Sequence, residues 1–80
     1  MRYYVYAIIS GKDSRIYVGM SSNVEQRLFE HNSGKTPSTK AYLPWQLIFT
    51  KELDSRIAAR KEEKRLKSGY GKEFLKSLLK

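Results

Sequence analysis

Few side chains in this 80-residue chain are equipped for chemistry, because it holds no cysteine and a single histidine. A thiol nucleophile, a disulfide framework, a zinc finger and any site built from several histidines are therefore excluded. Arg27 and His31 stand four residues apart, a spacing that places them on one side of a helix. Glu62 and Glu63 lie in a basic run, yet on a helical wheel both lean toward the apolar direction marked by Leu66. A carboxylate so placed is costly unless it is hydrogen-bonded, paired or bound to a cation, and the wheel does not choose between the two. A bound metal would have to be a hard cation held by carboxylate and water. Lysine and arginine outnumber aspartate and glutamate 16 to 8, a net charge of +8 that suits polyanionic partners, nucleic acid above all. Residues 1–55 hold 7 basic and 5 acidic groups and residues 56–80 hold 9 and 3, so +6 of that excess is C-terminal. Arg56, Arg60, Lys61, Lys64, Arg65 and Lys67 share one broad face of a predicted helix, with Ala58, Ala59, Leu66 and Tyr70 opposite. Such a face either attracts phosphate or is simply solvated.

The elements that must position these groups follow from the pattern. Residues 3 to 9 are rich in Tyr, Val and Ile and read as a strand, with Tyr4, Tyr6 and Ile8 on one face and Tyr3, Val5, Ala7 and Ile9 on the other. Both faces are apolar, which predicts helices on both sides of the sheet. The turn cluster from Gly11 to Ser14 and the run Arg15 to Met20 complete an N-terminal hairpin. Ser22-Asn23-Val24-Glu25 fits a capping box opening a helix that ends near Asn32, with Gly34 as its stop. A connection with a short helical turn spans residues 33 to 44, and Trp45 to Leu53 reads as a third strand. Asp54-Ser55 caps a helix over roughly 55–68, Gly69-Tyr70-Gly71 closes it, and residues 72–80 form a short amphipathic helix. The order is β-β-α-β-α-α. Composition (40% hydrophobic, 30% charged) is that of a folded chain, and the length fits one domain, residues 1–80. The N-terminal apolar stretch is too short to span a bilayer, so no membrane partner and a cytoplasmic location are expected.

Taken in order, Tyr4-Val5-Tyr6, Tyr17-Val18-Gly19, Arg27-Leu28, Glu30-His31-Asn32, Thr39-Lys40, Pro44-Trp45 and the run Ala59, Glu63, Leu66-Lys67 resemble the GIY-YIG nuclease family. The likeness is to its small stand-alone bacterial branch, related to the N-terminal nuclease domain of the excision-repair nuclease subunit. It covers nearly the whole chain, with Tyr4 standing where the family name has Gly. No Asn follows Asn32, so an Asn that braces the site in many members has no counterpart. The resemblance implies an α+β fold, with a central three-stranded antiparallel sheet flanked by helices, and hydrolysis of DNA phosphodiester bonds with one divalent ion, Mg²⁺ or Mn²⁺. On that likeness Tyr6 orients or deprotonates the attacking water, Tyr17 supports it across the hairpin, and Arg27 stabilises charge on the phosphorane. His31 assists proton transfer, and Glu63, preferred to Glu62 on the likeness alone, holds the metal.

The chemistry is coherent, since phosphodiester hydrolysis needs an activated water, charge stabilisation and help for the leaving group. Tyr is a poor base at its ordinary pKa, so a nearby cation is required to favour the phenolate, a part open to Arg27 and His31. Lys40, Arg60, Lys64 and Lys67 are the candidate nucleic-acid contacts, with DNA favoured over RNA. A lone domain of this kind is expected to take its specificity from a separate partner protein, and DNA repair or processing is the expected setting. Two other readings of the same residues are a non-catalytic nucleic-acid-binding module and a protein-interaction domain.

Overall fold

The structure, a computed structural model, describes residues 2–79. Three strands, β1 (Tyr3–Ser10), β2 (Ile16–Ser21) and β3 (Trp45–Leu53), form one antiparallel sheet in the order β2-β1-β3. Three helices accompany it: α1 (Val24–Asn32), α2 (Arg56–Lys67) and α3 (Gly69–Ser77), with a short 3₁₀ turn at Lys40–Tyr42. The β-β-α-β-α-α order and the α+β class are those expected from the sequence.

The central strand β1 divides its side chains between two cores, as its two apolar faces require. Val5 and Ala7 join Val18, Ala59, Leu66 and Leu75 under α2 and α3. Tyr6 and Ile8 join Trp45 on the opposite face, where Val24 and Leu28 of α1 pack with Tyr17, Tyr42 and Leu43. The pairing of β1 with β3 slips between Ala7 and Ile8, so that Ala7 faces Phe49 while Ile8 faces Leu47. This bulge lets the consecutive residues Ile48 and Phe49 both pack on the α2–α3 side, which strict alternation forbids. Phe49 then meets Phe74 of α3 edge to face, with ring centroids 5.6 Å apart.

The helix ends differ in detail from the expected ones. Asn23, not Ser22, caps α1: its side chain accepts a hydrogen bond from the Gln26 backbone N–H at 3.1 Å. Ser22 and Asn23 are both good capping residues, and Ser21 settles the choice because its hydroxyl accepts the Asn23 N–H at 2.9 Å. Ser55 caps α2 as expected. Gly69-Tyr70-Gly71 does not close a helix but opens one, since the Ser68 hydroxyl accepts the Gly71 N–H and caps α3. A Cβ on Gly71 would collide with the backbone of Arg65 and Leu66, so the glycine serves the tight α2–α3 corner. The same corner removes Tyr70 from the apolar side assigned by the wheel, and its side chain is exposed. Lys80, the last residue of the expected final helix, lies outside the described residues. Among the described residues no helix is long and apolar enough to cross a membrane.

Candidate active site

Four of the five residues expected to act together converge on the α1 side of the sheet. Tyr6 pairs with Gly19 across the hairpin and Tyr17 pairs with Ile8, so both tyrosines project from the same face. Gly19 has a steric reason. A Cβ there would stand 2.6 Å from the Tyr6 Oη and 3.1 Å from a Tyr17 ring carbon, so only glycine lets the Tyr6 ring lie across β2. The Tyr6 hydroxyl then meets His31 Nε2 at 2.9 Å, and both residues are fully buried. Tyr17 sets its ring edge-on to His31 at 5.1 Å between centroids and to Trp45 at 6.4 Å, closing the aromatic wall.

The far side of His31 is held by a residue to which the sequence assigned no role. Thr39 is buried, and its Oγ1 lies 2.9 Å from His31 Nδ1. The Thr39 hydroxyl is itself within reach of the Thr36 carbonyl at 3.4 Å, which makes it an acceptor toward the imidazole. His31 therefore carries its proton on Nδ1 and offers the Nε2 lone pair to the Tyr6 O–H, a tautomer assigned from this network. The loop bearing Thr39 is pinned twice more. Trp45 Nε1 donates to the Thr39 carbonyl at 2.9 Å. Asn32 accepts the Trp45 N–H at 2.6 Å and donates to the Trp45 carbonyl at 2.9 Å. The sequence marked Thr39 only as a member of the Thr39-Lys40 pair in the family pattern; its part comes from a contact with a residue eight positions away.

Burial governs the ionisation of this group. It pushes Tyr6 above its ordinary 10.0, and the neighbouring Arg27 guanidinium opposes that rise without cancelling it. Burial, then the Arg27 charge, push His31 below its ordinary 6.5, with Glu30 resisting. The expectation that Arg27 and His31 make Tyr6 acidic is thus corrected: Arg27 acts in the expected sense but desolvation outweighs it, and His31 is neutral at pH 7. Arg27 itself is half-exposed and ion-paired with Glu30 at 2.9 Å one turn on, which leaves further guanidinium donors for a ligand.

Glu62 and Glu63 are both largely covered, with side chains 11% and 15% exposed, as the wheel suggested. Their partners separate them. Glu62 is engaged by Arg65 at 2.6 Å and by Lys51 of β3 at 3.3 Å, and the Arg65 hydrogen bond chiefly lowers its pKa to about 2. Glu63 pairs, among the described residues, only with Lys67, one turn on, at 3.3 Å. Among the described residues no group of three or more His, Asp or Glu converges, so there is no all-protein metal cage. The donor set fits a Mg²⁺-like ion, which accepts one carboxylate and fills its shell with water and phosphate oxygens. Of the candidate nucleic-acid contacts, Lys40 opens the 3₁₀ turn, Arg60 and Lys64 are exposed on α2, and Lys67 lies against Glu63.

The family profile described as the GIY-YIG catalytic domain matches residues 2–76. The UPF0213 protein of Staphylococcus saprophyticus is 32% identical over 76 residues, covering 94% of this chain and 92% of its own. The UPF0213 protein of the archaeon Natronomonas pharaonis is 37% identical over 67 residues, covering 82% of this chain and 78% of its own. Among solved structures, the solution NMR structure of a UPF0213 protein from Bacillus halodurans superposes with a TM-score of 0.59 at 33% identity, covering 98% of this chain and 85% of that one. With a nuclease-type profile running from the first strand into the last helix, and relatives alike over almost their full length, this chain belongs to the GIY-YIG family, among its small UPF0213 proteins.

Proposed function

We propose that this chain is a divalent-metal-dependent endonuclease that hydrolyses DNA phosphodiester bonds. The observation that carries the reading is the buried chain Tyr6 Oη, His31 Nε2, His31 Nδ1, Thr39 Oγ1, with both links at 2.9 Å. The file fixes the Tyr6 hydroxyl and gives its proton an acceptor in the His31 Nε2 lone pair.

Magnitudes decide how Tyr6 works. The ordinary values of Tyr6 and His31, 10.0 and 6.5, differ by 3.5 units, and their shifts run in opposite directions, widening the gap. Tyr6 therefore does not act as a preformed phenolate. It orients the attacking water and passes its own proton to His31 Nε2 as it takes one from the water, so the phenol stays neutral and the positive charge rests on the His31 imidazolium, between the Tyr6 and Thr39 oxygens. Arg27 turns donors from Glu30 to the non-bridging phosphate oxygens, which opens the way to the Tyr6 hydroxyl. Tyr17 backs the imidazole and keeps its orientation. Glu63 would hold the divalent ion, which when bound supplies Lewis-acid polarisation of the phosphate.

The test is nicking of supercoiled plasmid and of single-stranded and branched oligonucleotides with Mg²⁺ or Mn²⁺. Cleavage by the wild type and its loss in Glu63→Gln supports the proposal; cleavage by neither, or by both equally, refutes it, since a contaminating nuclease ignores the substitution.

A further inference from the structure

Beside the candidate site runs a groove that shares only Lys67 with the basic face expected on α2. One cleft, of about 350 Å³, is lined by Ile16, Tyr17, Lys67 and Lys72; a second, of about 460 Å³, is lined by Arg15, Ile16, Lys72 and Lys76. The two share Ile16 and Lys72, so they form one path between the edge strand β2 and α3. It starts at Tyr17, in the site, and ends at the hairpin turn. No acidic residue lines either half. Lys72 and Lys76 stand four apart on α3, so both ammonium groups lie on the same side of the helix, facing the groove. At the upper end Lys67 is the lysine paired with Glu63, and at the lower end the Arg15 guanidinium is held rigid over the Tyr42 ring at 3.6 Å.

We infer that this groove is the track of a DNA strand leaving the site, with Lys72 and Lys76 as phosphate contacts. The inference rests on the DNA-cleavage reading for the identity of the strand. Exposed lysines along a shallow apolar floor follow a backbone without reading bases, which gives salt-dependent, sequence-independent binding. Arg56 and Lys61 are equally exposed but line a separate cleft with Ile57, away from the track.

The experiment is fluorescence anisotropy of a labelled single-stranded DNA in metal-free buffer across a salt series, where no cleavage is needed. The double variant Lys72→Gln with Lys76→Gln should bind more weakly and lose about 1.4 from the log–log salt slope, at ~0.7 per phosphate contact. The double variant Arg56→Gln with Lys61→Gln removes the same charge and should leave the slope unchanged. All four side chains are exposed, so folding is not at stake. Equal losses in the two variants, no loss in the first, or no salt-dependent binding by the wild type would overturn the track. Binding that follows the predicted pattern without any cleavage supports the track and counts against the nuclease reading. Cleavage with an unchanged slope in the first variant does the reverse.

Discussion

Gly19→Ala is the substitution on which the site geometry bears most sharply. The added methyl would lie 2.6 Å from the Tyr6 Oη and 2.8 Å from its Cζ, against an ordinary contact distance of 3.4 Å or more. Something must yield by about 0.8 Å. The Tyr6 ring is fully buried between β2 and the α1-side core, so it has no free rotamer to escape into. A displacement of that size, toward His31 or away from it, takes the 2.9 Å bond out of good hydrogen-bonding geometry. Overpacking of this kind costs ~1–3 kcal/mol, and each kcal/mol lowers Tm by about 4–8 °C in a domain of this size. Two readouts separate strain from lost geometry. Thermal unfolding should fall by at least ~4 °C, and the His31 ring resonances in NMR should move, because Nε2 loses its phenolic donor. If Gly19→Ala melts with the wild type and leaves the His31 resonances in place, the close packing of Tyr6 on Gly19 is wrong.

Two further outcomes follow from the same core. Thr39→Val removes the partner of His31 Nδ1 and strands a buried donor, which costs ~1–3 kcal/mol; denaturant unfolding should show that loss, whereas Thr39→Ser should retain most of the stability. His31 is held below its ordinary 6.5 by burial, so the unfolded chain binds its proton more readily than the folded one. Its contribution to stability is complete above pH 6.5 and is lost as the pH falls through its lower folded value. Tm should therefore begin to drop below pH 6.5, before the carboxylates titrate: Glu62, held at about 2 by Arg65, loses its pairing only below its ordinary 4.5. A Tm flat from pH 7 to pH 5 would show that His31 is not buried neutral.

How much of this was legible before the structure varies by residue. The two-faced pattern of β1 correctly foretold two cores and a sheet between helices, because alternation acts within a few residues. The fixed order of Tyr6, Tyr17, Arg27, His31 and Glu63 carried the family, and four of these meet on one side of the sheet. What was hidden depends on contacts between distant segments. Gly69 and Gly71 look like a helix stop locally, yet Ser68 begins a new helix and Gly71 is required by the neighbouring backbone. Glu62 and Glu63 are equivalent on a wheel, and only the cations facing them, Lys51 from β3 and Arg65 for Glu62, tell them apart. Thr39 was marked only by its place in the family pattern, and its contact with His31 was hidden. Burial, which sets the protonation of Tyr6 and His31, is likewise a property of the assembled fold, and it reversed the expected direction for the phenol.

The central claim is that the Tyr6 hydroxyl, backed by His31, serves the cleavage step. Single-turnover cleavage of an end-labelled DNA by the wild type and by Tyr6→Phe, at a temperature where circular dichroism shows both folded, addresses it directly. The account predicts a rate lower by about 10²–10⁴ in Tyr6→Phe. A Tyr6→Phe rate equal to that of the wild type would contradict it.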